Sequence, residues 1–291
     1  MSGVLLAGAA ALAASFVVLW LISLVVRDAS IVDPFWGPSF VIVTWVAYVA
    51  ADDPGARGLL VAVLVSVWGV RLGTHLAVRN LGHGEDFRYQ AMRRRWGSRF
   101  WIVSLATVFL LQAALAWIVS LPVQVAMVDG GTPGWLAAAG LALWGVGVFF
   151  ETVGDLQLVG FKRDPASRGK VMDRGLWRYT RHPNYFGDFA AWWGHFLVAI
   201  ATWGSIWTIV GPIVMSTLLL RVSGVTLLER SIGSRRPGYP EYAARTNAFF
   251  PGPRKLPATG YRLQVRRVEV PIKWDEVSNH APRAAAVCRV R

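Results

Sequence analysis

Seven runs of apolar residues, at positions 4–26, 37–51, 59–78, 100–127, 133–150, 189–201 and 206–220, constrain this chain more than any other feature. A bilayer span needs about 20 mainly apolar residues, and each run reaches that length alone or with tilt and flanking residues. Inside hydrocarbon every backbone amide must be satisfied within the protein, which directs such runs into helices. The expected fold class is therefore all-α, an integral membrane bundle of about seven transmembrane helices. The first run lacks a preceding positive region and exceeds the ~7–15-residue core of a secretory signal, so it reads as a span. With 54% hydrophobic and only 16% charged residues, the composition departs from that of water-soluble domains.

The net charge of +13 is unevenly placed. Six arginines fall between positions 79 and 99, seven Lys or Arg between 162 and 181, and more after the last run. The connections at 51–58, 128–132 and 202–205 carry almost none. This alternation obeys the positive-inside rule for a multi-pass inner (plasma) membrane protein with its N-terminus outside and its C-terminus in the cytoplasm. It also makes membrane lipids, not nucleic acid, the expected partner of most of the positive charge. The fifteen tryptophans suit the same setting, because indoles favour the headgroup boundary.

One membrane domain is expected over 1–253. The basic segment 254–291 has no apolar stripe and is expected to be a poorly ordered cytoplasmic tail. The single cysteine, Cys288, excludes an internal disulfide, and His75, His83, His182, His195 and His280 show no metal-ligand spacing. No GxGxxG, GxxxxGK[ST] or GxSxG motif occurs, so any nucleotide must be held by the bundle and its loops.

Three clusters can carry chemistry. In RYTRHPNYFGDFAAWWGH, Pro183 pushes His182 out of helical geometry and starts a helix with Asn184, Tyr185 and Asp188 in its first turns. Its free amides beside Arg178 and Arg181 make either a phosphate receptor or a capped helix with snorkelling arginines. In LLERSIGSRRPGYPEYAARTNAFFPGP, Glu229 and Arg230 follow the last span, and Tyr239, Tyr242 and Arg245 offer stacking faces and a cation, or an interfacial belt. The third set is Asp33 at the mouth of the second run with Arg71 and His75 on one face of the third. A histidine and a carboxyl there can donate to a carbonyl of a lipid-like substrate, or they can pair with each other and satisfy the bundle.

Taken together, GLWRYTRHPNYFGD, LLERSIGSRRPGYPEYAARTNAFFP, DPFWG, WGVRLGTHLAVRN, GEDFRYQAMR and VFLLQ resemble the steroid 5-alpha-reductase superfamily, specifically its bacterial branch long labelled a domain of unknown function. The resemblance covers about positions 33–253. It implies a seven-helix enzyme that reduces an activated C=C bond in a lipid, with NADPH held by the cytoplasmic loops and helix ends. Asn184, Tyr185, Gly187 and Asp188 match the family's cofactor stretch, Asp155 and Lys162 the acidic and basic positions before it, and Arg230, Tyr239 and Arg245 those after the last span. His75 stands where the eukaryotic steroid reductases carry a tyrosine, and Asp33 is a looser match to their glutamate. The weaker resemblance is to isoprenylcysteine carboxyl methyltransferases, which share RHPxY and use S-adenosylmethionine. A non-enzymatic lipid-binding bundle is the third alternative.

Overall fold

A computed structural model describes residues 1–80, 82–200, 202–222, 225, 229 and 236–255. Helix α1 (Ser2–Val26) ends at Arg27, which takes the left-handed conformation at φ 56°. The Asp28 carboxylate then accepts from the Ser30 amide at 2.8 Å and turns the chain into α2 (Val32–Ala50). After α3 (Gly55–Asn80), Asp86 caps α4 (Phe87–Val119) by accepting from the Arg88 amide at 2.9 Å. Helices α5 (Leu121–Asp129), α6 (Trp135–Arg163), α7 (Pro183–Ala199), α8 (Trp203–Val222) and α9 (Tyr239–Arg245) complete the described bundle. Among the described residues there is no β-strand, only the isolated bridge between Thr180 and Asn247.

Six helices, α1, α2, α3, α4, α6 and α8, are long and apolar enough to cross a membrane. The remaining expected span, α7, has 17 residues and rises about 26 Å, at the short end of the lengths that cross a bilayer. The run 100–127 also differs from the expectation of one span. Its helix begins at Phe87 and breaks at Ser120, because Pro122 cannot continue the backbone ladder of the preceding turn. The residues after the break, Leu121 to Met127, are all buried and form a plug between the longer helices.

Two helix pairs approach closely through small residues. On α6, Gly140, Gly147 and Gly154 recur every seven positions and meet α7, whose own Gly187 and Gly194 repeat at the same spacing. A Cβ on Gly194 would lie 2.6 Å from the Trp144 amide nitrogen, and one on Gly140 2.7 Å from that of Val198. Helices in lipid gain their attraction from such close packing, because burying apolar surface gives little against an apolar solvent. Gly37 of α2 meets Gly69 and Gly73 of α3 in the same way, with Pro38 against Gly73.

Between the pairs sits an aromatic core in which Phe40, Trp68 and Trp192 pack with centroids 4.6–5.6 Å apart. At the basic end of the bundle, the segment after α9 lies back along the entry to α7. Thr180 Oγ1 donates to the Phe249 carbonyl at 2.7 Å, and the Arg181 amide donates to that of Asn247 at 2.9 Å.

Candidate functional site

Helices α3, α6 and α7 turn their polar residues toward one another. Arg71 of α3 is the hub: its Nη1 lies 2.5 Å from Glu151 Oε1 and its Nη2 2.5 Å from Asp155 Oδ2, two carboxylates one turn apart on α6. The same Nη2 donates to the Glu151 carbonyl at 2.9 Å, and Trp68 Nε1 donates to Glu151 Oε2 at 3.0 Å. His75, one turn from Arg71, places Nε2 3.4 Å from Asp155 Oδ2. Asn184 of α7 donates from Nδ2 to Asp155 Oδ1 at 3.1 Å, so one carboxylate joins three helices. Asp188, a turn further along α7, lies within electrostatic reach of Arg71 and Asp155. The Glu151 and Asp155 side chains are 3% and 7% exposed, which removes them from the screening that weakens surface pairs.

Towards the basic end this cluster opens to a rim of cations. Arg79 and Lys162 are exposed and lie within electrostatic reach of His75, and Lys162 also feels Arg236. Tyr185 feels Arg79 and Arg88, which brings the start of α4 to the same end. There Asp33 accepts from Tyr89 Oη at 2.8 Å and from Arg88 Nη2 at 2.6 Å. Asp33 and His75 therefore do not pair with each other; each has its own partner. The loop before α4 is pinned by Glu85, whose Oε1 accepts from the Ala29 amide at 3.0 Å and from Arg93 Nη2 at 2.8 Å. Burial pushes the Glu85 carboxyl up, but the Arg93 and Ala29 hydrogen bonds outweigh it and hold the carboxyl below its ordinary range.

A second cluster closes the basic end outside the spans. Glu229 Oε1 lies 2.9 Å from Arg181 Nε and 3.1 Å from His182 Nε2. The His182 hydrogen bond, with help from the Arg181 charge, lowers the Glu229 carboxyl despite its partial burial. The His182 ring stacks on Tyr185 at 5.6 Å, and Tyr239 is pushed up to about 12 by burial and by the facing Glu229 charge. Tyr242 Oη donates to the Trp177 carbonyl at 2.7 Å, and its hydroxyl is raised chiefly by burial. Arg245 Nη2 pairs with Asp173 at 2.8 Å, where Arg254 also reaches the same carboxylate at 3.3 Å.

Of the residues read from the sequence, His75, Asp155, Lys162, Asn184, Tyr185 and Asp188 thus share one region. Arg181, Glu229 and Tyr239 form the closing cluster. Asp33 stands with Tyr89, and Tyr242 and Arg245 brace the loop that holds Asp173. Gly187 fits against the backbone of Gly147 and Glu151, and Arg178 is exposed. Arg230 lies outside the described residues, as does 256–291 of the tail. Sequence reasoning missed Glu151, Trp68 and Tyr89. Glu151 was findable, since it precedes Asp155 by four positions and shares its helix face.

Comparison with known proteins shows which family the chain belongs to. Across 80% of this chain and 76% of the relative, the sequence is 26% identical to an uncharacterized protein of Schizosaccharomyces pombe. It is 35% identical over 69 residues to the steroid 5-alpha-reductase DET2 of Gossypium hirsutum, a stretch covering 24% of this chain and 26% of that protein. No solved structure matches. The family model described as "Protein of unknown function (DUF1295)" matches residues 19–246, most of the bundle and all of the buried cluster, and the chain belongs to that family.

Proposed function

We propose that this protein is a membrane-embedded reductase that uses NADPH to saturate an activated C=C bond in a lipid-like small molecule, with its basic end in the cytoplasm. The observation that carries the reading is the gathering of Arg79, Lys162 and Arg236 at the rim of a polar cluster that continues inward through His75, Asp155 and Asn184. Cations collected within mutual reach, facing few carboxylates, are what a dinucleotide's phosphates require. The Asn184 amide and the Asp155 carboxylate suit the hydroxyl and amide groups of the rest of the cofactor. The local match to a named steroid 5-alpha-reductase supports the same chemistry.

When bound, NADPH supplies the hydride. The chain's own residues then bind, orient and donate. Lys162 and Arg79 hold phosphate, and Asn184 and Asp155 fix the cofactor against α7. His75, paired with Asp155 through Nε2, donates from its other ring nitrogen when protonated to the carbonyl that activates the double bond, while the Tyr89 hydroxyl, its proton spent on Asp33, holds the start of α4 to α2. Phe40, Trp68 and Trp192 keep water from the interior and so strengthen each of these interactions.

Titrating the detergent-purified protein with NADPH while following thermal unfolding tests this. Saturation at a hundredfold excess over Kd stabilises by ~2.7 kcal/mol, and that gain should vanish in Asn184→Ala and Lys162→Ala. A second reading, methyl transfer from S-adenosylmethionine, is favoured by one feature: Glu151, Asp155 and Asp188 outnumber Arg71, and an acid-rich interior suits a sulfonium cation. Stabilisation by S-adenosylmethionine and not by NADPH would select it. A response to neither would leave a lipid-binding bundle.

A further inference from the structure

Beyond Asp188 the inward face of α7 continues through Trp192 to His195, positions four and seven residues further on. His195 is wholly buried, and neither of its ring nitrogens has a hydrogen-bond partner among the described residues. Three indoles surround it, Trp192 at 5.4 Å and Trp68 and Trp144 at 6.3 Å between ring centroids. Trp68 spends its N–H on Glu151, but Trp144 Nε1 and Trp192 Nε1 have no acceptor among the described residues. Asp188 Oδ1, one end of the same face, is also without a donor among the described residues.

Each buried polar atom left in this state costs ~1–3 kcal/mol, and native interiors rarely tolerate several in one place. The kind of atom that is missing follows from the donor inventory. The two indoles can only donate, and a neutral imidazole adds one donor and one acceptor. Donors outnumber acceptors by three to one around His195, whereas a resident water would bring two further donors of its own. A carbonyl oxygen, which only accepts, takes up the excess of donors without adding to it. The three indole rings around His195 agree, since aromatic faces with a few placed donors are what binding sites for flat, unsaturated groups present.

We infer that a carbonyl oxygen of a bound small molecule seats against His195, held by the imidazole and the Trp192 and Trp144 N–H groups. Two molecules could supply that oxygen under the reductase reading on which this rests: the carboxamide of the nicotinamide cofactor, or a carbonyl of the lipid. His195 lies about 10 Å along the helix from Asp188, so the ligand reaches well past the rim that holds phosphate.

The test uses the full chain in lipid nanodiscs with isotopically labelled imidazole nitrogens, the His195 signal being assigned by its loss in His195→Gln. NADPH, cholestenone and the oxygen-free cholestene are added separately. A shift of the His195 signal with NADPH identifies the cofactor as the source, and a shift with cholestenone but not cholestene identifies a lipid carbonyl. His195→Phe should unfold no earlier than wild type without ligand, and should bind the effective probe ~10-fold or more weakly, while His195→Gln retains part of the affinity. A His195 signal unmoved by all three probes, or one that reports exchange with water throughout, overturns the inference. So does His195→Phe binding the probe as wild type does. Should NADPH stabilise the protein yet leave His195 silent along with cholestenone, the inference fails and the reductase reading stands. If NADPH has no effect on stability, that reading fails by itself.

Discussion

Arg71 and Arg245 are both guanidinium groups set against carboxylates, yet they do different physical work. Arg71 and its partners Glu151 and Asp155 are 16%, 3% and 7% exposed, whereas Arg245 and Asp173 are 44% and 32% exposed. Between those environments the effective dielectric changes enough to alter the strength of a charge pair severalfold. An exposed pair can be given up to a ligand at little cost. A buried one cannot, so the Arg71 cluster fixes the relative positions of α3, α6 and α7, while the Asp173 cluster only braces a loop. The difference teaches that the two arginines, equal in sequence as basic residues of a basic protein, belong to different layers of the design.

The sharpest way to break this comparison is Arg71→Leu. It leaves two buried carboxylates without their cation, and loss of one partner in a buried pair costs ~3–5 kcal/mol. The expected result is a sharp fall in folded yield and thermal midpoint in detergent. A drop no larger than that of an exposed variant would mean that solvent reaches the cluster and that the contrast is false. Next in size is Gly147→Leu, which drives a side chain into the backbone of Ala191 and should cost ~1–3 kcal/mol or more. Gly160→Leu on the same helix is its control, because no atom lies within 4 Å of a Cβ there, and it should be neutral or slightly stabilising. Arg245→Ala should cost only ~0.2–1 kcal/mol of stability. If it nonetheless removes NADPH stabilisation, Arg245 exchanges Asp173 for phosphate when the cofactor binds.

How much of this was legible beforehand depends on what decided each feature. The spans follow from apolar runs, and the start of α7 follows from Pro183, whose ring restricts His182 whatever else the chain does. The seven-residue glycine repeats on α6 and α7 were equally visible and mark a close helix contact. Other features were beyond local reading. The Asp33–Tyr89 pair exists only because Glu85 pins the loop before α4 to Ala29, a contact no local pattern gives. The orphaned nitrogens of His195 require knowing which three indoles face it. Periodicity places a side chain on a face, but Trp68 and Trp144 come to His195 from two other helices.

The smallest expected effect separates two of the carboxylates outside the spans that are held low, Glu229 and Glu85. A carboxyl lowered in the folded state contributes stability that is present above its unfolded pKa and is lost as pH falls through the folded value. Both residues should therefore add acid sensitivity below the ordinary carboxylate range and none near neutrality. Glu229→Gln should flatten part of that slope in thermal midpoints measured from neutral to acidic pH, by less than Arg71→Leu costs at any pH, because Glu229 is open to solvent screening. Glu85→Gln should flatten it too, but should also loosen the start of α4, since the Ala29 amide and Arg93 lose a charged acceptor. Equal effects of the two substitutions on protease cleavage within 81–86 would show that Glu85 acts as a surface charge alone. Faster cleavage in Glu85→Gln alone would make it the pin that holds Tyr89 against Asp33.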